Sequence, residues 1–220
     1  MRENIKYKFS EKLKHSMEQN KEQNIEQKSI KSEQQTAIQT NQEHIEKVKQ
    51  MYQTFEKYLL KNGIFLARDT GIGYWGVTHV QDLHDLFTQI ELHKHQNFMD
   101  LGSGDGRAVL MASLFDVKAT GVEADDWLIN CALDIKRKLD LPHFANVQFL
   151  KDDFMKMDLS KYDIMYINPD KPFHRGLEQK FNRDLKGKLV VHGYEFLPTT
   201  LQKEKEMINN GEQFSVFRRL

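Results

Sequence analysis

The sequence predicts an α/β domain with a mostly parallel sheet and helices on both faces, preceded by an N-terminal helical extension. Three observations lead there. From about residue 71 onward, short apolar runs alternate with stretches of helical periodicity, as in strands joined by right-handed crossovers. All 12 glycines and all 4 prolines lie beyond residue 62, whereas Gln, Glu, Lys and Asn dominate before it. The 220 residues suffice for one well-buried domain of about 150 residues plus an appendage.

The division falls at residue 62, with 1–62 as the extension and 63–220 as the domain. Residues 1–42 hold too few large apolar groups to bury a core. Ile5, Phe9, Leu13 and Met17 recur every four residues and would stripe one face of a short helix. In residues 42–60, Ile45, Tyr52 and Leu59 repeat every seven, with Val48 and Phe55 between them. That pattern fits either a helix docked on the following domain or self-association through a short coiled coil.

Lys plus Arg and Asp plus Glu each number 32, so the chain is formally neutral. A generally basic nucleic-acid binder is therefore not expected, although Arg183, Lys186, Lys188, Arg218 and Arg219 would form a basic rim if the fold joins them. One cysteine, Cys131, allows neither an internal disulfide nor a Cys-based zinc site. His84, His93 and His95 have no paired acid at ligand spacing, and no metal is expected. No apolar run approaches the roughly 20 residues of a membrane span. The charged segment Met1–Ser10 lacks the apolar stretch of an export signal. A cytoplasmic protein without membrane contact is the expectation.

Thr78-His79-Val80-Gln81 has the spacing of a capping box opening a helix whose inner face is Val80, Leu83, Phe87 and Ile90. Residues 97–101 read as a buried strand, followed by a helix over 108–114. Residues 119–123 form a second strand, and a helix over 126–139 turns Leu128, Cys131, Ala132, Ile135 and Leu139 inward. Strands follow at 147–150, 162–167 and 188–191, and 213–217 reads as an edge strand. In such a sheet, ligands bind beyond the C-terminal strand ends.

The segment Asp100-Leu101-Gly102-Ser103-Gly104-Asp105-Gly106-Arg107 ends the first of these strands. Its alternating glycines permit a sharp turn and close approach of a ligand to backbone. A dinucleotide fingerprint needs a small third residue where Arg107 stands, and Asp100 and Asp105 would repel a pyrophosphate. A cationic nucleoside suits the loop better, and S-adenosylmethionine carries a sulfonium and an ammonium but no phosphate. Nicotinamide binding is the competing possibility. Glu123, at the next strand end, can accept from both ribose hydroxyls. Asp153, at the third, can accept from the adenine amino group, with Phe154 covering the ring.

These residues, with Gly121-Val122-Glu123 and Asp153-Phe154, resemble the class I S-adenosylmethionine-dependent methyltransferases over about residues 71–220. The wording of residues 100–107 is similar to that of a small group of archaeal and mitochondrial protein lysine methyltransferases. Gly187-Lys188-Leu189-Val190-Val191, with Glu195-Phe196, resembles that group's late strand. The resemblance implies a Rossmann-like seven-stranded sheet. It also implies that Asp100, Gly102, Ser103, Gly104 and Gly106 hold the methionine end, Glu123 the ribose and Asp153 the adenine. That group has a Pro-Tyr-Val-Pro-Thr-like segment before its first helix. Here Gly73-Tyr74-Trp75-Gly76-Val77-Thr78 keeps an aromatic and a Thr but no proline.

The fourth strand ends in Asn168-Pro169-Asp170-Lys171-Pro172-Phe173, partly resembling the Asn-Pro-Pro-aromatic motif of enzymes that methylate amino groups of bases or glutamine. Asn168 and Asp170 are the candidates for accepting hydrogen bonds from the methyl acceptor. Tyr74 and Trp75 are placed to cover the sulfonium by cation–π contact, with Thr78 beside them at the cofactor and Gly71, Gly73 and Gly76 making a mobile lid. The expected reaction is methyl transfer to nitrogen on a macromolecule, a protein lysine side chain before a nucleic-acid amino group. A cofactor-binding interaction protein without catalysis is the third reading.

Overall fold

A computed structural model describes residues 39, 41–71, 73–173 and 176–220. The stripe formed by Ile5, Phe9, Leu13 and Met17 lies outside them. Residues 41–61 are helical (α1). Then come β1 (Ala67–Asp69), β2 (Tyr74–Gly76), α2 (Val80–Gln89), β3 (Asn97–Leu101), α3 (Arg107–Ser113), β4 (Lys118–Glu123), α4 (Asp126–Leu139) and β5 (Val147–Lys151). The chain closes with β6 (Ile164–Ile167), α5 (Leu177–Asp184), β7 (Lys188–His192), β8 (Gln202–Asn209) and β9 (Glu212–Arg218).

Seven strands form one sheet in the order β5-β4-β3-β6-β7-β9-β8, and β1 and β2 make a separate antiparallel pair. The first five strands of the large sheet are parallel, while β9 runs antiparallel to both β7 and β8. The seven-stranded, mostly parallel architecture expected from the sequence is present. The strand alternation divides the core cleanly. Phe98, Ile164, Tyr166, Val190, Phe214 and Val216 face one apolar cluster with α1, α2 and α3. Met99, Leu101, Met165, Ile167, Leu189, Val191 and Phe217 face the other, closed by Leu177 and Phe181 of α5. Burying each such side chain contributes roughly 1.5–3 kcal/mol.

Three local expectations are corrected. Residues 213–217 belong to β9, which lies inside the sheet, and the edge is β8. Five successive β8 residues, Gln202–Glu206, are exposed, and their Lys-Glu-Lys-Glu run masked the strand while blunting an open edge. The capping box does not form. Helix α2 starts from His79, which makes no side-chain cap, and the Thr78 hydroxyl turns instead toward His192 Nδ1 at 3.4 Å. The glycines of 71–76 do not leave a free loop. Thr70 closes the β1–β2 turn through bonds with Gly73, and the Tyr74 N–H donates to Asp170 Oδ2 at 2.7 Å.

The seven-residue stripe of α1 is spent on the domain. Ile45, Val48 and Tyr52 enter the first apolar cluster, and Leu59 packs with Trp75 and Leu128. The packed unit accordingly begins at His44, ahead of the compositional break at residue 62. A buried guanidinium fastens this helix. Arg107 donates through Nε and Nη2 to Asp105, at 3.0 and 2.7 Å, and through Nη1 to Glu56 Oε1 and the Thr78 carbonyl, at 2.9 and 2.7 Å. Its plane lies over the Tyr52 ring, and the Tyr52 hydroxyl donates to the Asp105 carbonyl.

At the opposite, N-terminal edge of the sheet, Lys186, Lys188, Arg218 and Arg219 line one open cavity. Glu204 pairs with both Lys188 and Arg218, and Asp163 shares the lining. The predicted rim is thus largely neutralised and lies away from the C-terminal strand ends.

Replacing Arg107 by Ala leaves the Asp105 carboxylate buried without its counter-charge. The expected cost is about 3–5 kcal/mol of unfolding free energy, measured by urea denaturation. A loss below about 1 kcal/mol would show that the network is not a structural requirement.

Candidate active site

The site is assembled at the C-terminal ends of β3, β4, β5 and β6. Asp100, next to last in β3, is buried and pairs in register with Gly121 on one side and Tyr166 on the other. Burial, followed by the nearby charges of Glu123 and Asp105, holds its carboxyl well above the ordinary carboxylate range. A cation beside it would reverse that balance.

The glycine loop after β3 is built for close approach. Gly102, at φ +81°, is exposed, with open space where a Cβ would stand. A Cβ on Gly104 would lie 2.7 Å from the Trp75 ring, and one on Gly106 would lie 2.6 Å from Phe149 and 2.8 Å from Ala132. Gly106 therefore fills the helix–sheet packing role that the dinucleotide spacing would have assigned to position 107. The Ser103 hydroxyl is buried without a partner against Gly121. It faces into the sheet, while the Ser103 N–H donates to the Val122 carbonyl and the Ser103 carbonyl accepts from the Gly106 N–H.

Glu123 closes β4 and is committed to this loop. Its Oε2 accepts from Gly104 N–H at 2.8 Å, and its Oε1 accepts from Ala124 and Asp125 N–H at 2.8 and 2.9 Å. An ionised carboxylate has about four acceptor positions, so one remains for a ribose hydroxyl, where two had been expected. Asp153 lies beyond β5, exposed, with Oδ1 accepting from Met155 N–H and Oδ2 3.7 Å from Lys156. Phe154 packs against the α5-side cluster.

Across the loop stands the β1–β2 pair. Trp75 is buried among Leu59, Leu128 and Trp127, with the Trp127 ring edge-on at 5.8 Å. Arg68 covers Trp127 at 4.5 Å. Tyr74 is exposed and is pinned through its backbone to Asp170. Asp170 also lies 3.5 Å from Lys171 Nζ, while Asn168 is exposed at the end of β6. The structure thus brings Tyr74 and Asp170 together, with Asn168 two residues away.

Sequence reading missed one group of residues. Tyr166, His192 and Glu212, on β6, β7 and β9, form a hydrogen-bonded set with Thr78. The alternation of β6 and β7 already placed Tyr166 and His192 on one face; their contact with Thr78 depends on how the chain enters α2.

A search of curated proteins gives no match. Residues 100–205 match a family described as the ANTKMT methyltransferase domain. Among solved structures, an RNA methyltransferase from Salinibacter ruber, in complex with S-adenosyl-L-homocysteine, is 18% identical at a TM-score of 0.53. The match covers 65% of this chain and 94% of that one. The tRNA (uracil-54, C5)-methyltransferase of Pyrococcus abyssi is 14% identical at 0.52, covering 62% and 38%. The PH0226 protein of Pyrococcus horikoshii is 15% identical at 0.52, covering 64% and 89%. These likenesses show a common fold. The matched methyltransferase domain spans the glycine loop and the acidic strand ends.

Proposed function

We propose that the chain methylates a nitrogen on a macromolecule, foremost the side-chain amine of a protein lysine, in the cytoplasm. The observation that carries this reading is the juxtaposition of Asp170, Tyr74 and Asn168 at the end of β6, beside the glycine loop. The match to the ANTKMT domain and the resemblance of residues 100–107 to protein lysine methyltransferases support the lysine. A lone thiol, Cys131, suits a reducing compartment.

The donor-binding residues fit the cofactor. In the proposed arrangement Asp100 meets the ammonium, the open face of Gly102 admits the methionine end, Glu123 takes a ribose hydroxyl and Asp153 with Phe154 holds the adenine. Trp75, against Gly104, closes the pocket from above, with Thr78 adjoining. Bound there, S-adenosylmethionine supplies a methyl group on a sulfonium for in-line transfer. The protein's work is then to deliver a neutral amine in line. A lysine amine has a reference pKa near 10.4, and an aromatic, partly desolvated approach favours its neutral form. Asp170 attracts the incoming ammonium, and Asn168 and Asp170 accept hydrogen bonds from the amine once it has lost a proton. The exposed Tyr74 ring packs along the methylene stem.

A nucleic-acid amino group is the second reading. Asn168-Pro169-Asp170 favours it, and two of the solved structures sharing the fold are RNA methyltransferases. A cell extract incubated with protein and methyl-labelled cofactor separates the two. Label that survives nuclease and is lost to protease is the expected outcome; the reverse pattern would overturn the lysine assignment.

Two substitutions test the division of labour. Glu123→Ala is expected to weaken cofactor binding about tenfold or more, the worth of a hydrogen bond to a charged group, read by calorimetry. Asp170→Ala is expected to lower the transfer rate by about tenfold or more with little change in cofactor affinity, and unchanged transfer would remove Asp170 from the acceptor site.

A further inference from the structure

On the face of the sheet that carries α1, α2 and α3, the strands are apolar except near their C-terminal ends. There Asp100, Tyr166 and His192 occupy same-face positions on β3, β6 and β7, with Glu212 alongside at the start of the antiparallel β9. Tyr166 is paired in register with Asp100, and its hydroxyl lies 3.0 Å from His192 Nδ1. His192 Nε2 lies 2.8 Å from the Glu212 carboxylate, and the imidazole stacks on Phe214 at 4.5 Å. Thr78 Oγ1 lies 3.4 Å from the same His192 Nδ1. Thr78, Tyr166 and His192 are buried, whereas the Glu212 side chain is 46% exposed.

The chemistry of the partners fixes the direction of this chain. A carboxylate only accepts, so the His192 Nε2–H donates to Glu212. In the neutral imidazole Nδ1 is then the acceptor, and the Tyr166 O–H donates to it. The Thr78 hydroxyl, 3.4 Å from the same Nδ1 acceptor, likewise directs its O–H inward. Thr78 thereby commits its only hydroxyl proton inward and keeps lone pairs for a donor on its other side. Its backbone is held beside the glycine loop, since its carbonyl accepts from Arg107. We infer that His192, oriented by Glu212, is a positioning residue that makes Thr78 a hydrogen-bond acceptor for the ammonium of the bound cofactor. This inference rests on the proposed placement of S-adenosylmethionine beside Thr78.

The opposite polarity exists only when His192 is charged. Both ring nitrogens then donate, Tyr166 donates outward, and Thr78 presents a proton to the ligand. The groups facing His192 are Glu212 of β9 and Asp82 of α2, which favour its charging, and Tyr166 of β6, itself facing Asp100 of β3 and Arg107 of α3. Burial opposes charging and prevails, holding the imidazole below its ordinary range. The acceptor polarity is therefore the one present at neutral pH and is lost as pH falls through the folded-state titration of His192.

Two measurements on the full chain test this. Imidazole ¹⁵N spectra of the protein alone are expected to show His192 as the neutral Nε2–H tautomer at pH 7, with that preference lost in Glu212→Ala. Calorimetry with S-adenosylmethionine between about pH 5 and 8 is expected to give weaker binding toward low pH. Thr78→Val and His192→Gln should each bind about tenfold more weakly at pH 8, with Thr78→Ser restoring affinity and His192→Gln flattening the acid limb. An Nδ1–H tautomer, tighter wild-type binding toward low pH, or wild-type affinity in both Thr78→Val and His192→Gln would each overturn the positioning role. A wild-type protein that takes up no cofactor while His192 still shows the Nε2–H tautomer would instead overturn the placement of the cofactor.

Discussion

The Arg107 guanidinium is the constraint on which the rest of the site depends. It stands at the first position of α3, directly after the glycine loop, and its donors reach three separate parts of the chain: Asp105 in the loop, Glu56 on α1 and the Thr78 carbonyl before α2. A buried charge of this kind is tolerated only when its hydrogen bonds are satisfied. That requirement fixes how the loop, the N-terminal helix and the segment leading into α2 meet. Tyr52 contributes from both sides, with its ring under the guanidinium and its hydroxyl on the Asp105 carbonyl. The helix before the α/β domain is therefore part of the scaffold that holds the glycine loop.

The same arrangement separates two kinds of acid. Asp105 is neutralised by Arg107 and serves architecture. Asp100 is equally buried, but its nearest charges are negative, and its carboxyl is held well above its usual range. Two acids five residues apart, one in β3 and one in the loop that follows it, thus do different work because only one is adjacent to the guanidinium. With only negative charges nearby, the position of Asp100 suits a ligand bearing positive charge.

Much of this was legible in the sequence. Residues 97–101 and 119–123 were readable as strands because parallel strands buried on both faces are short apolar runs. The three alternating glycines after Asp100 marked the loop, and each adopts positive φ. What could not be read was partnership across long separations. Glu56 lies 51 residues from Arg107, and His192 lies 114 from Thr78; no local periodicity encodes either contact. Strand β8 was hidden for a different reason. An exposed edge strand needs little apolar alternation, and its charges look like those of a loop. The capping box failed because Thr78 found a stronger competitor for its hydroxyl in the buried Tyr166–His192 pair.

The Tyr74–Asp170 hydrogen bond ties the β1–β2 pair to the segment that follows β6. The β1–β2 pair carries Trp75 on its inner side, packed against Gly104, and Tyr74 on the outer side, with its N–H on Asp170. Adjacent residues of a strand point in opposite directions, so a single short strand places one aromatic over the glycine loop and another, exposed, beside Asp170. Any displacement of the pair moves both surfaces at once. The carboxylate that would receive an incoming amine is the same group that holds the strand in place. Arrival of a cation at Asp170 therefore competes with the Tyr74 N–H and with Lys171 for the same oxygens. In the proposed reading, a cation held at Asp170 is thereby coupled, through the Tyr74 N–H, to the position of Trp75 over the glycine loop.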